Sequence, residues 1–220
     1  MSRVSVRRLY SVAGGRWWDP FRVVWEFCTS QQAIRDLESL FRRYVSAQTR
    51  VLDLGCGTGA NLGRLIQLQL PFKQYTGVDF SPHMLALARK RFRDMANVTF
   101  MEGDATSLRQ SDELYDVIAA TWLLDHLDEP AAFVNDVQRL LVPGGHLLLL
   151  FYSRPRWFVR FWLAPLGRML VRADPVAREE VSKFSGVLFK KTRAASAVTL
   201  IDIGAPGVVD PGAARQACYH

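Results

Sequence analysis

The sequence predicts an α/β fold, with a doubly wound, mostly parallel sheet of about seven strands, helices on both faces and covering helices at the N-terminus. Three observations carry this. Between Val51 and Phe151 short apolar runs alternate with helix-like segments, the pattern of consecutive βα units feeding a parallel sheet. Each run is apolar and brief, as strands covered on both faces should be. The first run passes directly into a turn with glycines at 55, 57 and 59. A length of 220 residues suits one domain of ordinary size.

Taken in order, residues before Val51 read mostly as helix, with Ile34, Leu37, Leu40, Phe41 and Tyr44 on one stripe. Strands are expected at Val51 to Leu54, Tyr75 to Val78, Val98 to Met101, Val117 to Ala120 and Leu147 to Phe151. Between them, Ala60 to Gln69, Met84 to Arg93 and Ala131 to Leu141 have helical composition and spacing. Ser81-Pro82 is a start signal, because serine can cap free N–H groups and proline suits the first helical position. Val142-Pro143-Gly144-Gly145 is expected to end the third of these helices and turn the chain into the Leu147 strand. The tail is cut into short pieces by Pro155, Pro165, Pro175, Pro206 and Pro211. Two readings stand for Gly186 to Ile203, a helix followed by one strand or a strand-turn-strand hairpin.

Composition narrows the class. Hydrophobic residues make up 49% and charged residues 22%, the balance of a folded globular chain. No run of about 18 uncharged apolar residues occurs, and the first residues lack the apolar block and cleavage site of a signal peptide, so a cytoplasmic protein is expected. Cys28, Cys56 and Cys218 have no metal-ligand spacing and suggest neither a disulfide framework nor a zinc site. The net charge of +7 is uneven, at +5 over residues 1 to 50, −4 over 51 to 150 and +6 over 151 to 220. Basic flanks suit nucleic acid or anionic lipid, and a solvated arginine-rich surface needs no partner at all.

The chemistry lies in three strand ends. Val51-Leu-Asp-Leu-Gly-Cys-Gly-Thr-Gly59 lets the backbone approach a ligand closely, but Ala60-Asn61 follow where a pyrophosphate binder would place its third glycine. Asp53 and Thr58 instead bring polar groups suited to an amino-acid moiety. Thr76-Gly-Val-Asp-Phe-Ser81 ends the next strand in Asp79, 24 positions after Gly55, where a carboxylate can accept from both hydroxyls of a ribose. In Phe100-Met-Glu-Gly-Asp-Ala105, Asp104 sits beyond the third strand and could accept from an adenine amino group.

VLDLGCGTG, GVDFSPHML, EGDA, Tyr115-Asp-Val-Ile118 and Val142-Pro-Gly-Gly145 together resemble the ordered motifs of class I, Rossmann-like S-adenosylmethionine-dependent methyltransferases. The resemblance covers about 100 residues. It implies S-adenosylmethionine as cofactor, with Asp53, Gly55, Cys56, Gly57 and Gly59 at its methionine part. It implies Asp79 at the ribose and Asp104 and the backbone of Ala105 at the adenine, with Phe80 and Thr121 also among the cofactor-binding residues. On this basis residues 1–49 are a helical cover, 50–153 the cofactor-binding core, and 154–220 a lid segment with C-terminal strands. Cys56 is read as a small packing residue; His83 and His146 are read as structural.

Methyl transfer from a sulfonium is an in-line displacement, so orientation alone can supply much of the rate. Thr121-Trp-Leu-Leu-Asp-His126 follows the fourth strand, and in similar enzymes this segment faces the methyl group. His126 is the candidate base with Asp125 as orienter, or both simply hold the turn. Trp122 either meets the acceptor or belongs to the core. The Asn/Asp-Pro-Pro-Tyr/Phe box and the Pro-Cys nucleophile of nucleic-acid base methyltransferases are absent, so no DNA partner is expected. TWLLDHL resembles the corresponding segment of small-molecule and quinone-biosynthesis enzymes instead. The expected acceptor is therefore a small molecule or lipid; an RNA or protein methyltransferase and an inactive cofactor-binding homologue are the alternatives. From Arg154 to Arg172, arginines at 156, 160, 168 and 172 flank an aromatic surface including Trp157. That segment is either a lid over the acceptor pocket or a peripheral membrane contact. Trp18, with Trp17, Phe21 and Trp25, closes the same pocket or belongs to the core.

Overall fold

The computed structural model describes residues 31–106, 113–153, 175–193 and 198–206. The chain runs α1 (Gln31–Tyr44), β1 (Arg50–Leu54), α2 (Ala60–Gln67), β2 (Gln74–Asp79), α3 (Pro82–Arg91), β3 (Val98–Glu102) and β4 (Tyr115–Thr121). It continues through a 3-10 turn at Leu124–His126, α4 (Pro130–Gln138), β5 (Leu141–Tyr152), α5 (Arg178–Val181), β6 (Val187–Arg193) and β7 (Val198–Gly204). The described strands form one seven-stranded sheet in the order β3-β2-β1-β4-β5-β7-β6. Pairings from β3 through β5 are parallel, and β7 and β6 run antiparallel at one end.

Strand period sorts the core into two layers, since neighbouring side chains point to opposite faces. Leu52, Leu54, Ile118, Ala120, Leu147 and Leu149 pack with Phe133, Val134 and Val137 of α4. Val51, Val117, Ala119, Leu148 and Leu150 pack on the other face with Leu37 and Phe41 of α1, Leu62 and Leu65 of α2, and Leu85 and Ala88 of α3. Helices thus cover both faces, as the apolar strands require. The reversal of strand order falls between β1 and β4, and an open sheet of this kind leaves a crevice there, beyond the strands' carboxyl ends.

Several expectations hold in detail. The Ser81 hydroxyl accepts from the Met84 N–H, with Pro82 at the first turn of α3. The α1 stripe is buried at Leu37, Leu40 and Phe41. Asp36 of the same helix accepts from Lys191 Nζ at 2.9 Å and Arg193 Nε at 2.8 Å, tying α1 to β6. His146 is structural, its ring stacked on Tyr44 at 3.6 Å and its Nδ1 3.0 Å from Asp202 Oδ1.

Two regions depart from or resolve the expectation. The α4 helix ends at Gln138, and Val142-Pro143-Gly144-Gly145 lies within β5. Leu141 pairs with Tyr115 and His146 with Val117, so the four residues are an excursion from the ladder. Pro143 offers no N–H to a ladder and Gly144 takes φ +80°, which is why these residue types sit at the bulge. The tail resolves as the β6–β7 hairpin. β7 becomes an interior strand buried along its whole length, which its run Val198 to Ile203 supports. Trp18, Trp157 and the segment 154–172 lie outside the described residues, and no described helix is long and apolar enough to cross a membrane.

Candidate active site

The β1 strand delivers the glycine turn to the crevice. Gly55 and Cys56 both donate backbone N–H to Val78 O, at 2.8 and 3.1 Å, fastening the turn to the end of β2. Gly55, Gly57 and Gly59 have φ of +69°, +53° and +79°, a region that costs other residues about 1–2 kcal/mol. Their surroundings differ. A Cβ on Gly59 would stand 2.5 Å from Phe92 Cε2, so Gly59 permits α2 to pack against the end of α3. A Cβ on Gly57, which lines the cavity, would meet nothing within 4 Å.

That cavity opens to solvent. The turn lines it with Gly55, Cys56, Gly57 and Thr58, α2 with Ala60 and Arg64, and the β2–α3 junction with Asp79, Phe80 and Met84. Thr121, Trp122, Leu123 and His126 complete it from the end of β4. Asp79 closes the gap between two strand ends. Its Oδ2 accepts from Gly57 N and its Oδ1 from Ser81 N, both at 2.8 Å. Burial pushes its carboxyl above the ordinary range, against the pull of these two N–H groups.

Asp53, expected at the cofactor, lies beneath the turn and off the cavity wall. It is fully buried, with Oδ2 accepting from the Tyr75 hydroxyl at 2.5 Å and Oδ1 from Asn61 Nδ2 at 2.9 Å. Burial raises its pKa to about 6, opposed by those two donors and by the Arg64 charge. Gly59, Asp104 and Ala105 are likewise not on the wall. Asp104 is exposed, and its Oδ1 accepts from Thr106 N and Oγ1 at 2.9 and 2.7 Å. Cys56 fits the reading of a packing residue, since burial holds its thiol well above the ordinary range and so protonated.

On the acceptor side, His126 is on the wall and burial lowers its pKa, which keeps the imidazole neutral and able to take a proton. Asp125 is not its orienter. The carboxylate is buried, its Oδ2 accepts from Tyr152 N at 3.2 Å, Oδ1 has no hydrogen-bond partner, and burial pushes it well above the ordinary range. Trp122 adopts φ +58°, its N–H donating to Leu150 O at 2.7 Å and its ring 4.9 Å from Tyr152. A bulky residue in this conformation stores strain, which recurs at ligand sites. Arg64, Met84 and Leu123 line the cavity without having been expected there. The one signal for Arg64 was its place between Leu62 and Leu65, which face the core.

Comparison with known proteins agrees with this geometry. Residues 51–145 match the family described as "Methyltransferase domain". A demethylmenaquinone methyltransferase of Tropheryma whipplei is 34% identical over 149 residues, 63% of this chain and 59% of that protein. A ubiquinone/menaquinone biosynthesis C-methyltransferase of Desulfotalea psychrophila is 32% identical over 152 residues, 62% and 61% of the respective chains. The chain thus spans about three-fifths of the length of these relatives. The crystal structure of a magnesium protoporphyrin IX methyltransferase from Synechocystis with bound SAH superposes with a TM-score of 0.68 at 18% identity, over 92% of this chain and 99% of that one. Residues 51–145 thus resemble a methyltransferase domain, and the described residues share their fold with a solved methyltransferase. The similarity in sequence includes two enzymes named for quinone biosynthesis.

Proposed function

We propose that this protein transfers a methyl group from S-adenosylmethionine to a small-molecule, lipid-like acceptor of the quinone kind named for its relatives. The observation that carries this reading is that Gly57 and Asp79 share one cavity wall. Gly57 leaves open space where a side chain would stand, and Asp79, held by two backbone N–H groups, has lone pairs left for ribose hydroxyls. The residues present therefore fit the cofactor. Gly55, Cys56 and Gly57 face its methionine part, Asp79 and Phe80 the ribose, and Met84 offers an apolar contact for the base.

The bound cofactor supplies an electrophilic methyl group on a sulfonium. The chain's own residues position and dehydrate the reaction: Trp122 and Leu123 wall the acceptor side, and neutral His126 can take the acceptor's proton as the new bond forms. Calorimetric titration with S-adenosylmethionine and S-adenosylhomocysteine tests the binding half, and absence of binding at about millimolar ligand rejects the proposal. Transfer of radiolabelled methyl into a demethylmenaquinone-containing lipid extract tests the acceptor. Label found in RNA or protein and not in lipid would replace this acceptor class.

A further inference from the structure

We infer that Asp125 is the positioning residue of the acceptor wall: uncharged, its carboxyl fastens the turn that carries Trp122, Leu123 and His126 to the end of β5, and its ionisation releases that turn. The catalytic consequence rests on the methyl-transfer reading above, whereas the fastening rests on the fold alone. β4 ends where Thr121 pairs with Leu150, and the Trp122 N–H makes one more bond, to Leu150 O at 2.7 Å. Two residues on, Tyr152 turns its backbone groups to the same edge of β5, as the strand period requires. With β4 gone, those two groups are met separately. Tyr152 O accepts from Val176 N at 2.9 Å, beside the parallel bridge of Ser153 with Val176. Tyr152 N donates to Asp125 Oδ2 at 3.2 Å, so a side chain supplies the rung that the departed strand no longer can. Asp125 is the central residue of the 3-10 turn Leu124–His126, and the residues around it, Trp122, Leu123 and His126, line the cavity. Trp122 sits at φ +58°, a conformation that a bulky residue keeps only where its surroundings hold it.

The group that makes this rung is poorly placed to carry a charge. Asp125 is buried, Oδ2 receives the Tyr152 N–H, and Oδ1 has no hydrogen-bond partner. An ionised carboxylate there would bury a charge with one oxygen bare, which is costly. A protonated carboxyl makes the same rung with Oδ2 as its carbonyl oxygen and buries no charge. Burial accordingly pushes its pKa well above the ordinary range, against the pull of the Tyr152 N–H and its own backbone N–H. Among the described residues no charged group of β4, β5, α4 or α5 shares in this. Beside it stand only His126, which burial keeps neutral, and on β5 the phenol of Tyr152. Ionisation is therefore relieved by carrying the carboxylate to water, and the turn moves with its central residue. The effect reaches His126 through the backbone and not through a bond to its imidazole.

The test follows the turn in the full chain without ligand, and then the reaction. From about pH 5 to about pH 9, a range that spans buried carboxyls, NMR reads the carbon-13 shift of the Asp125 carboxyl and the exchange of the Tyr152 amide proton, corrected for its intrinsic rate. The carboxyl is expected to titrate above its ordinary range, and protection of the Tyr152 amide to fall about 10-fold per pH unit beyond that point. In Asp125→Asn, which keeps a carbonyl for Tyr152 N and cannot ionise, protection is expected to stay level. Methyl transfer into the demethylmenaquinone-containing lipid extract should show the same alkaline fall, lost in Asp125→Asn. Asp125→Leu, which leaves Tyr152 N without an acceptor, should lower that rate at least about 10-fold across the range, and Asp125→Asn should recover most of the loss. Level protection in the unsubstituted protein, or the same fall in Asp125→Asn, overturns the inference while leaving the cofactor reading intact. Failure of the unsubstituted protein to bind S-adenosylhomocysteine rejects the cofactor reading, and the amide measurement still decides the fastening.

Discussion

The glycines at 57 and 59 are separated by one residue and have similar backbone angles, yet their substitution by alanine should fail in different ways. At Gly59, φ +79° strains any side chain, and the new Cβ would fall 2.5 Å from the Phe92 ring. Phe92 is buried, packed near Phe100 with ring centroids 6.2 Å apart, and has Arg91 above its face, so it has little room to yield. Strain of about 1–2 kcal/mol and overpacking of about 1–3 kcal/mol put the expected loss near 2–5 kcal/mol. For a chain of this size that is a fall in Tm of roughly 5–15 °C. At Gly57 only the strain remains, since nothing lies within 4 Å, and the fall should be a few degrees. The order reverses for ligand, because Gly57 lines the cavity and the Gly57→Ala methyl should weaken S-adenosylhomocysteine at least about 10-fold, whereas folded Gly59→Ala should lose far less. Thermal unfolding and calorimetry at a low temperature, with both variants folded, measure the pair. Equal Tm values, or a larger affinity loss at 59 than at 57, would refute the assignment of one glycine to packing and the other to ligand.

Three further outcomes are expected. The buried Asp53, with a folded pKa raised from 3.8 to about 6, contributes most favourably below about pH 4, and that contribution is lost as pH rises through about 6. The stability of Asp53→Asn relative to the unsubstituted protein should therefore rise by on the order of 3 kcal/mol between pH 4 and pH 7 in urea unfolding, and a pH-independent difference would contradict it. His126→Asn should reduce methyl transfer by about 10²–10⁴-fold with cofactor affinity unchanged, and the acid limb of the rate–pH profile should lie below pH 6.5, because burial lowers the His126 pKa from that value; Asp125→Asn should leave that limb in place. Ser81→Ala removes the side-chain acceptor for Met84 N and should cost about 0.5–2 kcal/mol in thermal unfolding, with no loss identifying the cap as dispensable.

What could be read from the chain directly was whatever depends on neighbours in sequence. The apolar runs announced strands covered on both faces, which holds for β1, β4 and β5 and fails for β3, where Met101 is exposed; the glycine spacing announced a tight turn, and Ser81-Pro82 announced a helix start. Each follows from local sterics or from a residue's own hydrogen-bonding capacity. The same kind of reading placed Gly57, Asp79, Phe80, Thr121, Trp122 and His126 near one another, since each ends a strand or follows one, and strands of a parallel sheet end on the same side.

Tertiary structure decided which side chains at those ends face the ligand. Asp53 and Gly55 are two residues apart on the same strand end, but Tyr75 from β2 and Asn61 from α2 draw the carboxylate inward, away from the cavity. Asp125 and His126 are adjacent, yet the 3-10 turn directs one toward Tyr152 N and the other to the cavity wall. The VPGG segment has the composition of a helix stop, and pairing of its flanks with β4 makes it a bulge within β5. The burial of Arg64 follows only once helix α2 is laid on the sheet. In each case the outcome depends on contacts between residues far apart in the chain, where burial and pairing outweigh local preference, so the residue types alone could not determine it.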